Sequence, residues 1–272
     1  MSLRIQNNVE ALTAHRSLNA TSDKIAKSME RLSSGYRINR AADDAAGLTI
    51  SEKLRGQIGG LAQANRNTSD AVSLVQTAEG ALNEVHSMLQ RIRELSVQYK
   101  NGSLSSSDRS AIQSEVNQLA SEIERIGGQS EFNGIKLMNV ASTVTFQVGA
   151  NDTDVIKVNM LTLTSTNGVG TSYAQLSTTA LGVSDLEEID TAINNVATFR
   201  ATLGAVSNRL EHSLQAAGAY QENLVAAESR IRDVDMAAEM VNYTKYSILA
   251  QAGQSMLAQA NQSPQSVLQL LR

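Results

Sequence analysis

Residues 189–234 read IDTAINNVATFRATLGAVSNRLEHSLQAAGAYQENLVAAESRIRDV, and within them Ile189, Val196, Leu203, Leu210, Ala217, Leu224 and Ile231 recur every seven residues. Three residues after each stand Ala192, Phe199, Val206, Ser213, Tyr220, Ala227 and Val234, apolar at every step but Ser213. Alternating steps of three and four place both sets on one stripe of a helix, the seam of a coiled-coil-like pairing. At the α-helical rise this helix would run roughly 70 Å, far beyond the usual helix of a compact domain. Such a stripe needs an equally long partner. The N-terminal half supplies one on the same spacing, in Leu61/Ala64, Thr68/Ala71, Val75/Ala78, Leu82/Val85, Leu89/Ile92 and Ser96/Tyr99.

Working outward, Asn101-Gly102-Ser103 breaks the second seam, and Ser107-Asp108 reads as the cap of a shorter helix carrying Ile112, Val116, Leu119, Ile123 and Ile126. Gly127-Gly128 is expected to end it. Together the three segments predict a rod-like antiparallel bundle, in which each buried Leu or Ile contributes about 1.5–3 kcal/mol relative to exposure. Between the helices, Val144-Thr145-Phe146-Gln147-Val148 and Val155-Ile156-Lys157-Val158 alternate around Gly149-Ala150-Asn151-Asp152, which predicts a β-hairpin at about 141–160. From about 163 to 184 the chain is rich in Ser, Thr and Gly without periodicity, a short exposed loop. Gly59-Gly60 sits inside a predicted helix at a cost of about 1 kcal/mol per glycine relative to Ala. A tight contact with another subunit would account for the pair.

The chain ends carry a different pattern. Leu18, Ile25 and Leu32 keep seven-residue spacing, and Met240, Tyr243, Tyr246, Leu249, Met256 and Leu257 give the C-terminal segment a broad apolar face. Neither end has enough neighbours within one chain to bury that surface, so the helices are expected to pair with each other and with other copies. A heptad seam alone is nonetheless more often ordinary bundle packing than a polymerisation device.

Composition agrees with helices and offers little chemistry. Of 272 residues 42% are apolar and 3% aromatic, with no Trp and a single proline, Pro264. The 23 basic and 27 acidic residues leave a net charge of −4, with no basic tract interleaved with aromatics, which argues against nucleic-acid binding. No cysteine exists, so thiolate metal sites and cysteine nucleophiles are excluded. No apolar run of membrane-spanning length and no secretory leader are evident, so membrane insertion is not expected. That leaves a cytoplasmic protein or one exported without a signal peptide. His15, His86 and His212 are isolated, and neither HExxH, GxxxxGK[ST] nor GxSxG occurs, so no catalytic, cofactor-binding or metal residues are assigned. Asp43-Asp44 reads as a pair of helix-start acids. Arg91, Arg93 and Glu94 read as a solvated face with local ion pairs.

Several strings are more specific than any period. Leu32-Ser33-Ser34-Gly35-Tyr36-Arg37-Ile38-Asn39-Arg40-Ala41-Ala42-Asp43-Asp44-Ala45-Ala46-Gly47-Leu48 is followed in order by Gln76-Thr77-Ala78-Glu79-Gly80-Ala81-Leu82, Leu89-Gln90-Arg91-Ile92-Arg93-Glu94-Leu95-Ser96-Val97-Gln98 and Glu131-Phe132-Asn133-Gly134. The C-terminal half adds Leu203-Gly204-Ala205, Asn208-Arg209-Leu210-Glu211, Ala227-Glu228-Ser229-Arg230-Ile231-Arg232-Asp233 and Met256-Leu257-Ala258-Gln259-Ala260-Asn261. In this set and order the sequence resembles the bacterial flagellins, from residue 5 to the C-terminus except for about 141–184.

The resemblance implies a mainly α protein: an inner filament-core domain of paired terminal helices, 1–40 with 236–272, and an outer rod domain, 41–235, of helical bundle, β-hairpin and reduced variable loop. It implies a structural subunit, not an enzyme, exported unfolded through the flagellar type III apparatus and polymerised into the extracellular flagellar filament for swimming. Filament-core contacts would fall on Leu18, Ile25, Leu32, Met240, Tyr243, Leu249, Met256 and Leu257. The partners implied are further copies of the chain, a secretion chaperone on 236–272, the filament cap and hook-junction proteins, and vertebrate Toll-like receptor 5, read through Arg91, Leu95 and Glu115. A coiled-coil adapter would explain the seams but not the ordered strings. A hook-filament junction protein shares fold and some terminal features, whereas the density of strings at both ends favours flagellin.

Overall fold

The computed structural model describes residues 8–139, 143–160, 163 and 185–270, without the side chains of 185 and 263–270. The serine- and threonine-rich loop expected at about 163–184 lies outside the described residues except for Leu163. Among the described residues five helices and two small antiparallel hairpins follow in order: α1 (Val9–Ser34), α2 (Ala45–Tyr99), α3 (Ser106–Gln129), β1 (Glu131–Phe132), β2 (Ile135–Lys136), β3 (Thr143–Gln147), β4 (Val155–Asn159), α4 (Asp185–Arg232) and α5 (Met236–Leu270). The chain divides into two compact units, one of residues 57–222 and one of 1–56 with 223–272.

In the unit of residues 57–222 the core follows the expected stripes. Leu61, Ala64, Ala71, Val75, Ala78, Leu82, Val85, Leu89 and Ile92 of α2 are buried, as are Ile189, Ala192, Val196, Leu203 and Leu210 of α4. Thr68 and Ser96 are buried in the same α2 stripe, and each satisfies its hydroxyl by donating to the carbonyl four residues back, Ala64 and Ile92, at 2.8 Å. Ile112, Val116, Ala120 and Ile123 add the inner face of α3. The α4 seam fades toward its C-terminal end: Tyr220, expected inside, is 51% exposed. The amide of Gln221 instead faces α2, accepting from Asn65 Nδ2 at 3.1 Å. Ala217 and Leu224, of the first seven-residue set, remain buried, so the loosening falls on the second set.

Three expectations about α3 and the hairpins are corrected. The N-cap is Ser105, not Ser107-Asp108, because a capping box requires the acid three residues on. Ser105 Oγ accepts from the Asp108 N–H (3.2 Å), and Asp108 Oδ2 accepts from the Ser105 N–H (3.1 Å). Gly127-Gly128 does not end the helix, which runs to Gln129. Gly127 is buried where a Cβ would come within 3.0 Å of Leu163 Cβ, so this glycine serves a close chain approach. A second hairpin, β1–β2, was not expected as structure. Its Asn133-Gly134 turn has both residues at positive φ (49° and 77°), the requirement of the tightest hairpin turns.

The expected hairpin is present as β3–β4, paired from Thr143↔Asn159 to Gln147↔Val155. Its turn explains one glycine of the Gly59-Gly60 pair. A Cβ on Gly60 would stand 3.1 Å from Ala150 Cβ, a close approach made by the chain's own hairpin. Gly59 has open space around it.

Candidate self-assembly site

α1 and α5 run antiparallel. Asn8 Nδ2 donates to the Ala260 carbonyl (2.8 Å), Lys24 Nζ stands 5.6 Å above the Tyr246 ring, and Ser28 Oγ donates to Glu239 Oε1 (2.5 Å). As the α1 number rises its partner's number falls. Both helices are capped by their own sequence. Asn8 Oδ1 accepts from the Ala11 N–H at 3.0 Å, and Gly35, left-handed at φ 75°, closes α1 by donating to the Arg31 carbonyl. Asp235 Oδ1 accepts from the N–H groups of Ala237 (2.9 Å) and Ala238 (3.1 Å) at the start of α5.

The pairing stripe on α1 is Ala11, Ala14, Leu18, Thr21, Ile25, Ser28 and Leu32; on α5 it is Glu239, Tyr243, Tyr246, Ala250, Gly253, Leu257 and Ala260. Each stripe steps alternately by three and four, and each of its residues is half-buried or buried. Of the anticipated assembly residues, Leu18, Ile25, Leu32, Tyr243 and Leu257 therefore lie on the pairing stripe. Met240, Leu249 and Met256 do not; they are 50%, 48% and 65% exposed. Val241 (68%) and Ile248 (61%), one heptad apart, lie on the side of α5 opposite the pairing stripe, while Met240 flanks that stripe on one side and Leu249 and Met256 on the other. At the distal end of the pair a groove of about 760 Å³ opens between Val9, Thr13 and Ser17 of α1 and Gly253, Met256 and Ala260 of α5. Apolar surface of this extent on one helix is the mark of an interaction surface.

At the proximal end two connecting segments are clasped. The Arg37 N–H donates to the Arg232 carbonyl (2.7 Å), and the Val234 N–H to the Gly35 carbonyl (3.0 Å), around a bridge between Tyr36 and Asp233. The Arg232 guanidinium lies 5.0 Å from the Tyr36 ring centroid and reaches Glu52 at 2.6 Å, while Arg37 Nη2 donates to the Ile231 carbonyl at 2.6 Å. Beside it, Asp43 and Asp44 take separate tasks. Asp44 caps α2 by accepting from the Gly47 N–H at 2.9 Å, whereas Asp43 ties the preceding turn to Lys27 of α1 at 2.6 Å. Neither the clasp nor the Ser28–Glu239 contact was read from the sequence. The one available signal was the three-residue offset from Leu18 and Ile25, which places Thr21 and Ser28 on the same stripe.

On the other unit, Arg91 meets Glu115 through Nε (3.1 Å) and Nη2 (3.0 Å) and Glu94 through Nη1 (3.3 Å), all at the surface. The partner carboxylates hold the Arg91 pKa above its ordinary value, Glu115 most strongly. Leu95, in contrast, is 2% exposed and belongs to the core. Arg93 pairs across to Asp190 of α4 at 2.6 Å. Among the described residues His15 and His86 bond to Asn19 and Gln90 on their own helices, and no group of metal-binding side chains occurs. No described helix is long and apolar enough to cross a membrane.

A helical chain whose two terminal helices pair with each other and still display apolar stripes defines a class, the self-associating structural subunits. The family model for the bacterial flagellin N-terminal helical region matches residues 5–143, and that for the C-terminal helical region matches 186–271. The flagellin of Halalkalibacterium halodurans is 51% identical over 98% of this chain and 99% of its own, and that of Bacillus subtilis 48% over 99% and 100%. A flagellar filament 33 kDa core protein of Treponema phagedenis is 45% identical over 98% and 99%. Among solved structures, a flagellar hook-associated protein of Vibrio parahaemolyticus aligns with a TM-score of 0.54 at 16% identity, over 70% of this chain and 100% of that one, a likeness of fold alone. The chain belongs to the bacterial flagellin family. It is accordingly a structural subunit of the flagellar filament, and the junction-protein and adapter alternatives are not favoured.

Proposed function

We propose that this chain builds the filament through its paired terminal helices, 1–40 with 236–272 forming the filament-core domain and 41–235 the outer rod domain. The observation that carries this reading is the exposed apolar surface of α5, where Val241, Ile248, Leu249 and Met256 remain uncovered although α1 is already paired. Further copies covering that surface repeat one heterologous contact, and such a contact that does not close generates a helical polymer. Leu18, Ile25, Leu32, Tyr243 and Leu257 then hold the subunit's own helix pair, and Met240, Leu249 and Met256 contact neighbouring copies.

In the same reading the chain passes through the flagellar export apparatus, a secretion chaperone covers 236–272 before export, and the filament cap and hook-junction proteins receive the same helices. The mature location is the extracellular filament, and the chain catalyses no reaction. Toll-like receptor 5 would read the surface around Arg91 and Glu115, which the exposed guanidinium–carboxylate pair supports; buried Leu95 would shape that surface from beneath.

The test is electron microscopy of purified full-length chain and a 45–232 fragment, each mixed with filament seeds at matched concentration. Growth of seeds by the full-length chain alone is expected. Equal growth by the fragment would remove the terminal helices from the role.

A further inference from the structure

The most deeply buried side chains on the α1–α5 pairing stripes are not apolar. They are Ser28, 3% exposed, and Glu239, 7% exposed. Around them the seam is half-buried and built partly of small residues, Ala11, Ala14, Ala250, Gly253 and Ala260. Alanine and glycine fit opposite one another in several offsets, so they pin the alignment of two helices weakly. A carboxylate at a seam position acts in the opposite way. It is costly to bury unless its lone pairs are met, and a single polar residue in an apolar seam sets register at a cost in stability. Glu239 is met by two groups of α1. The Ser28 hydroxyl donates at 2.5 Å, and the Arg31 guanidinium stands 3.7 Å away, one turn further along the helix.

We propose that Glu239, received by Ser28 and Arg31, is the register key that selects one alignment of α1 against α5. The proposal rests on the reading of these helices as the assembling pair. The alternative offsets on α1 show why the key is selective. A shift of one heptad one way brings Thr21 opposite Glu239 and replaces Arg31 by Lys24, at the loss of the Lys24–Tyr246 cation contact. The same shift the other way brings Gly35, past the last turn of α1, and shifts of half a heptad bring Ile25 or Leu32, which leave the carboxylate against hydrocarbon. Correct alignment matters for a polymer because a slipped pair would move Val241, Ile248, Leu249 and Met256 relative to α1 and present neighbouring copies with a different surface.

The absence of cysteine from the chain makes the test direct. A Cβ built on Gly253 stands 4.0 Å from Leu18 Cβ, inside the range of about 3.5–4.5 Å that a disulfide spans. Leu18→Cys with Gly253→Cys therefore reports the observed register, and Leu18→Cys with Tyr246→Cys or with Ala260→Cys reports a slip of one heptad either way. Disulfide yield within single full-length chains is read by denaturing gel, on free chain and on seed-elongated filaments. With Glu239 in place only the 18/253 pair is expected to close. Glu239→Leu is expected to raise the slipped yields roughly tenfold, while Glu239→Gln, which can still accept from Ser28, keeps the original pattern. Should Glu239→Leu fail to fold, Ser28→Ala removes only the hydroxyl and is expected to raise the slipped yields to a smaller extent. An unchanged pattern in Glu239→Leu, or in Ser28→Ala where that variant decides, overturns the proposal. Because elongation by the 45–232 fragment is scored separately, failure of the assembly reading is distinguished from failure of the key.

Discussion

Asp43 accepts the N–H groups of Asn39 (3.2 Å) and Arg40 (3.1 Å) and pairs with the Lys27 ammonium at 2.6 Å. The Lys27 contact first, then the Arg40 amide, hold its pKa at about 2 against an ordinary 3.8. A carboxyl whose pKa falls on folding stabilises the fold fully above its unfolded value, and that contribution is lost as pH drops through the folded value. We expect Asp43→Asn to lower the thermal midpoint at neutral pH and to flatten its decline between about pH 4 and about pH 2. Thermal unfolding followed by circular dichroism at stepped pH checks this, and identical slopes in both proteins would assign the acid sensitivity elsewhere. From the sequence both acids read as helix-start residues, but only Asp44 caps α2. Asp43's partners are fixed by how the turn folds back on α1, which no local pattern records.

For the elements, the stripes of α2, α3 and α4 were legible because a helix writes its buried face into consecutive residues at a fixed period. Their ends were less so. Ser105 and Ser107 are both plausible caps on sequence, and the choice falls to Ser105 because Asp108 then occupies the third helical position and answers the cap's own N–H. Ser105→Ala is expected to cost about 1 kcal/mol of stability, whereas Ser107→Ala should change little; urea unfolding of both variants separates the two assignments. Gly127 lies within α3 because Leu163 approaches too closely for a side chain there, a contact with a residue 36 positions away that composition cannot reveal. The β1–β2 turn, in contrast, was marked by its Asn-Gly dipeptide and needed only the recognition that a two-residue turn can join very short strands.

Assembly is a property of the whole molecule, and here an exposed position separates folding from polymerisation. Ile248 is 61% exposed and off the pairing stripe, so Ile248→Glu removes no contact with α1. We expect this variant to keep the helical content and thermal midpoint of the parent while its rate of seed elongation falls at least about tenfold, as a charge buried without a partner in a subunit contact requires. Unchanged elongation would show that the Ile248 side of α5 stays uncovered in the filament. The buried counterpart on the same helix, Glu239, is expected to alter alignment instead, and the two positions therefore distinguish the two faces of α5.

The sequence by itself determined the helical stripes, the long hairpin and, through its ordered strings, the family. Each of these is encoded in neighbouring residues, where period and local backbone preference act without reference to distant chain. Only the tertiary structure decided which stripe meets which and at what alignment: Ser28 against Glu239, Tyr36 bridged to Asp233, Gly60 beneath Ala150. A period fixes the face that a helix buries but is unchanged by sliding the partner one repeat. Register is therefore settled by polar groups and close approaches, whose cost or gain exists only once residues far apart in sequence have been brought together.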